Sequence, residues 1–185
     1  MQYIQCTQKL LKELKTKPVK SDCLDKQNSL LGPWHANLLM IEGRKCVLFT
    51  NNITLYSIFV PMLKKADFAK LPEIFRQELS INLSVEGIKQ DVINKALAEY
   101  NDLIFTKTSS RSILGSMNEF AYQIEYYVMN EYPSIENIDL YEINRKINLT
   151  PMSSMEYSCG IVEIKKLLGC SDENTQLKTF PDKLK

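Results

Sequence analysis

Three short apolar runs, Asn37 to Ile41, Lys45 to Thr50 and Leu55 to Val60, follow one another with almost nothing between them. Glu42-Gly43-Arg44 separates the first pair and Asn51-Asn52-Ile53-Thr54 the second. Gaps this short can only reverse the chain locally, and Gly and Asn accept the positive φ that tight hairpins require. The runs are rich in Ile, Val, Leu, Phe and Tyr, as strands that fill a core tend to be. The spacing therefore predicts an antiparallel meander closed by Pro61.

Helical periodicity surrounds it. Leu10, Leu11 and Leu14 fall on one face behind Thr7, a plausible N-cap. Leu71, Ile74, Phe75, Leu79 and Leu83 define a second helix with Pro72 in its first turn, and Val92, Ile93, Ala96, Leu97 and Tyr100 a third. Leu103 to Thr106 reads as a strand, as does Tyr3 to Gln5. The longest helix spans about Ile113 to Glu131, a shorter one Leu140 to Ile147, and residues 161–168 close the pattern. Residues 18–32 read as a loop and 169–185 as a polar tail. The order predicts an α+β fold in one domain, residues 1–168, with a small antiparallel sheet (the meander plus one or two further strands) packed against several helices.

The 185 residues carry a net charge of +1, so neither a strongly basic arm nor an acidic tail dominates. The first 20 residues set five lysines against the single Glu13, whereas residues 71–102 are net acidic. Five scattered cysteines form no Cys-x-x-Cys pair, and His35 is the only histidine, so zinc-ligand spacing is missing and no metal or cofactor is expected. No phosphate loop, dinucleotide fingerprint, His-Glu-x-x-His or nucleophile elbow occurs. The N-terminus lacks a secretory h-region and no apolar stretch reaches bilayer length, which predicts a cytoplasmic protein without a membrane partner.

Four stretches in order resemble a family of short prokaryotic proteins classed as a domain of unknown function: Cys6-Thr7-Gln8-Lys9-Leu10-Leu11, Trp34-His35-Ala36-Asn37-Leu38-Leu39, Arg44 to Asn51 with Thr54-Leu55-Tyr56-Ser57, and Ser110 to Asn118. The resemblance covers about residues 2–168. It implies a cytosolic prokaryotic protein and lends no activity.

Two polar constellations stand out. If the meander pairs about Gly43, His35 and Asn37 lie near Thr50 and Asn51, bringing an imidazole, two carboxamides and a hydroxyl together; the alternative is that these groups cap strand ends. At the strand-to-helix junction, Ser110, Arg111 and Ser112 offer an anion site, or simply an N-cap with Arg111 paired to a surface acid. Gly115 sits inside the helix, where close packing would explain it, and Arg111, Gly115 and Asn118 share a face. Tyr122, Tyr126, Tyr127 and Tyr132 form a row suited to a protein partner or self-association. Two functions fit. The first is a non-enzymatic binding module for nucleic acid or a protein partner, with Asn37, Thr50, Asn51, Ser110, Arg111, Ser112 and Asn118 as ligand contacts. The second is a small enzyme on an anionic substrate, with His35 as acid/base and Arg111 as anion clamp.

Overall fold

The computed structural model describes residues 2–15, 29–108 and 110–170. Most of the expected loop at 18–32, Ser109 and nearly all of the expected tail lie outside the described residues. Strands β1 (Gln2–Cys6), β2 (Trp34–Ile41), β3 (Arg44–Asn51), β4 (Ser57–Val60) and β5 (Leu103–Lys107) form one sheet in the order β4-β3-β2-β1-β5. Helices α1 (Gln8–Leu14), α2 (Leu71–Val85), α3 (Gln90–Ala98), α4 (Arg111–Glu131), α5 (Leu140–Asn148) and α6 (Gly160–Leu167) cover its two faces. The fold is α+β.

β2, β3 and β4 are the antiparallel meander, in register from Trp34↔Asn51 to Ile41↔Arg44 and from Val47↔Val60 to Thr50↔Ser57. The first turn is the two-residue Glu42-Gly43, both with positive φ (47° and 72°), the twist-matched geometry that a two-residue hairpin needs. The sheet as a whole is mixed, which corrects the expected antiparallel arrangement: β1 runs parallel to both β2 and β5. Chain length explains it. Long connections containing α1 on one side and α2 and α3 on the other separate these strands, and parallel neighbours require such crossovers.

Side-chain alternation divides the interior into two layers. Ile4, Trp34, Ala36, Val47, Phe49 and Ile58 face α1, α2, α3 and α6; Leu39, Ile41, Cys46, Leu48 and Phe59 face α4 and α5. The first layer centres on Phe75, whose ring lies 5.1 Å from Trp34, 4.9 Å from Phe49 and 5.6 Å from Tyr100, centroid to centroid. Trp34 Nε1–H donates to the Tyr100 hydroxyl (3.0 Å), which donates to the Gly32 carbonyl (2.7 Å). Both amphipathic groups are thereby buried without an unpaired atom.

The outer edge of β4 has no neighbouring strand, and α5 closes it with two asparagines one turn apart. Asn148 accepts from Ser57 N–H (2.6 Å) and donates to Ser57 C=O (2.7 Å); Asn144 accepts from Phe59 N–H (2.7 Å). A carboxamide carries the same donor and acceptor as a peptide, so the pair stands in for a sixth strand. Gly160 at the start of α6 makes room for it. A Cβ there would come within 2.9 Å of both Asn148 Oδ1 and Tyr56 Cα.

Among the described residues, no helix is long and apolar enough to cross a membrane, and Cys6, Cys46, Cys159 and Cys170 are free thiols.

Candidate functional site

The meander places His35 directly opposite Thr50, as the turn at Gly43 requires. Thr50 in turn pairs with Ser57, and on the other side His35 pairs with Gln5 and Gln5 with Thr106. Ser57, Thr50, His35, Gln5 and Thr106 thus form a polar row across all five strands on the α4 side of the sheet. Four of the five are buried, Gln5 being half-buried. Thr50 and Ser57 satisfy each other, hydroxyl to hydroxyl at 2.9 Å.

His35 is sealed, with 0% exposure. Its Nδ1 lies 2.6 Å from Asn52 Oδ1, which makes Nδ1 the N–H donor and leaves Nε2 a buried acceptor without a partner. Burial holds the imidazole below its ordinary pKa, and the Asn52 contact only partly opposes this. The unfolded chain therefore takes up the proton first, so this residue's contribution to stability is lost as the pH falls through the ordinary value of 6.5. Glu78 and Glu86 run the other way, because burial raises both. The expected result is that His35→Gln unfolds with a weaker acid-side loss of stability than the parent, measured by urea titration at pH 8, 6.5 and 5.

Asn51 turns to the opposite face and caps the β3–β4 turn. Its Oδ1 accepts from Ile53 N–H, Thr54 N–H and the Thr54 hydroxyl, and its Nδ2 donates to Leu31 C=O (2.7 Å). At the second constellation, Ser110 is the N-cap of α4, accepting from Ile113 N–H (3.4 Å). Arg111 and Ser112 are exposed, and Arg111 makes no ion pair among the described residues. Gly115 is also exposed, with nothing within 4 Å of where a Cβ would stand, so close packing does not account for it.

Two of the singled-out residues, Asn37 and Asn118, meet in one groove of about 700 Å³. β1 ends at Cys6, opposite Ala36, while β2 runs on to Ile41. The groove follows that mismatch. Its floor is β2 from Asn37 to Met40, one wall is Thr7-Gln8-Lys9 at the start of α1, and the other is α4 through Leu114, Asn118, Ala121, Tyr122 and Glu125. The Thr7 hydroxyl donates to Asn37 Oδ1 (3.0 Å) instead of capping α1, which ties the α1 wall to the floor. Beyond the groove, α4 exposes Tyr122 (72%), Tyr126 (61%) and Met129 (75%) along one stripe. Tyr127 and Tyr132 are half-buried instead, Tyr132 donating to Glu142 and Tyr127 lying beneath Lys146 Nζ.

Sequence reasoning missed the Thr7 and Met40 contributions. Only the unequal lengths of β1 and β2 reveal them, and no single residue signals that. A second hollow of about 470 Å³ lies between the α2–α3 turn and the end of α6, beside the buried Glu86, whose carboxylate pairs with Arg145 at 3.2 Å. His35, Thr50, Asn51, Ser110, Arg111 and Ser112 line neither cavity. Among the described residues, no group of three His, Cys, Asp or Glu side chains is placed to hold a metal ion.

Comparison with curated proteins and with solved structures gives no match. A family model does match residues 3–161, the span that holds the sheet from Tyr3 onward, the groove and each of the candidate residues His35, Asn37, Thr50, Asn51, Ser110, Arg111, Ser112 and Asn118. The chain therefore belongs to DUF6933, a family defined as a domain of unknown function.

Proposed function

We propose that this domain is a non-enzymatic binding module that receives a segment of a protein partner in the groove between α1 and α4. The observation that carries the reading is the groove itself: a hollow with an apolar lining (Leu39, Leu114, Ala121, Tyr122), polar anchors (Thr7, Asn37, Asn118) and an exposed aromatic stripe continuing along α4. Concave, mainly apolar sites with a few convergent polar groups are where proteins bind their ligands.

Charge argues for a protein over a nucleic acid. The groove sets Lys9 against Glu125 rather than collecting cations. At the far end of the meander Arg44 is paired with Glu136 and Lys45 with Glu13. Phosphate recognition draws on uncompensated basic patches. The enzymatic alternative has less support, since a sealed imidazole turned toward Asn52 offers no base to a substrate. We place the protein in the prokaryotic cytosol, in keeping with its free thiols and the family resemblance.

The test is selection from a displayed library of randomised octapeptides, with single-stranded RNA and duplex DNA oligonucleotides as parallel probes. Enriched peptides are expected to bind the parent and to lose at least about tenfold in affinity on Asn118→Arg, which fills the groove from an exposed position of its α4 wall while the melting temperature holds. Failure to enrich any peptide, or oligonucleotide binding that weakens steeply with salt, would overturn the proposal.

A further inference from the structure

A strand presents the backbone groups of alternate residues to the same edge. Thr7 N–H donates to Ala36 C=O (3.0 Å), so Ala36 faces the β1 side, and Leu38 and Met40 must face it too. The β1 ladder stops at Ala36. Among the described residues nothing pairs with the outward N–H and C=O of Leu38 and Met40, and these groups lie along the groove floor.

Resting on the reading above, we infer that the bound segment is extended and adds to the sheet by pairing with this open stretch of β2, in line with β1. The contrast with the opposite edge supports this. There, Asn144 and Asn148 occupy the backbone groups of β4 so that no strand can dock. At β2 the groups have no partner among the described residues and are recessed between two helices. The recess argues for the occupant: with the start of α1 on one side and α4 on the other, the site suits a single strand better than the flat edge of another sheet, including that of a second copy. The outer edge of β5 is a weaker competitor, because it ends in the exposed Lys107, a residue type that discourages edge pairing.

The walls specify the segment's chemistry. Side chains of a strand alternate between faces. Those turned to α4 meet Leu39, Leu114 and Tyr122 and should be apolar; those turned to α1 meet Lys9 and should include an acid. The partner is thus an extended peptide of alternating apolar and polar residues with a carboxylate on its polar side.

Met40 allows the backbone to be tested directly. Its side chain is 54% exposed and its N–H is not used by the β2–β3 ladder, so proline there removes one open-edge donor without breaking a ladder bond. For peptides enriched from the octapeptide library, Met40→Pro is expected to weaken binding about tenfold, whereas Met40→Ala, which keeps the N–H, stays within about threefold. Amide resonances of Leu38 and Met40 should shift on binding. Equal affinity for parent and Met40→Pro, with shifts confined to α4, would overturn strand addition while leaving a groove-binding module intact. Shifts centred on β5, or no enriched peptide, would overturn both.

Discussion

Asn148→Ala is expected to cost about 3–5 kcal/mol of folding stability, because it strands two buried backbone groups at once and each costs about 1–3 kcal/mol when unpaired. Ser57 N–H and C=O are sealed beneath α5, so water cannot replace the lost carboxamide. The neighbouring position gives a built-in gradient. Asn144 makes one good bond to Phe59 N–H at 2.7 Å, and its return bond to Phe59 C=O is a marginal 3.5 Å. Asn144→Ala should therefore cost roughly half as much. Asn148→Asp separates geometry from shape: it keeps the acceptor for Ser57 N–H but sets a carboxylate against the carbonyls of Ser57 and Asn144, both of which now receive Nδ2. It should be no better than alanine. Urea unfolding measures the energies, and amide exchange locates them, with Ser57 losing protection in Asn148→Ala before any amide of β2 does. A loss below about 1 kcal/mol would mean that the edge is not held in this way.

Phe75→Ala should be equally damaging for a different reason. The ring is fully buried and touches three other aromatic rings, so its removal forfeits transfer energy, leaves a cavity and breaks three ring contacts; about 3–5 kcal/mol is expected. At this chain length that corresponds to a fall in melting temperature of about 6–20 °C. Phe75→Leu restores most of the volume and should recover more than half of the loss. An unchanged dependence of stability on urea concentration would show that the native state, rather than the unfolded one, carries the effect.

Much of the architecture is written in local pattern. Glu42-Gly43 and the apolar runs beside it specify the hairpin, because two residues leave the backbone one way to turn, and the stripe Met117-Phe120-Ile124-Val128 specifies which side of α4 is buried. Ser110 also reads as the cap that it is. What escapes the sequence is everything set by distant pairing. Tyr3 to Gln5 reads as a strand, yet nothing in those residues says that they lie between β2 and β5. Asn144 and Asn148 look like ordinary polar positions on an amphipathic helix until β4 is known to be an outer strand. The groove is half legible: Asn37 and Asn118 stand out as polar groups beside apolar elements, but the open backbone of Leu38 and Met40 arises from a difference in strand length that no side chain encodes. His35 shows the converse. Its rarity draws attention, and its neighbours enclose it.

The interior position of β1 also has a temporal side. During synthesis, residues 2–6 leave the ribosome before both strands that flank them, one side waiting for residues 34–36 and the other for residues 103–107. Until then the middle of the sheet is a gap, and the early chain exposes a sticky segment that its own later residues must claim. Assembly governed by such remote partners is slow, and the interval before closure is when this polypeptide is most open to misassociation and to helper proteins that shield it.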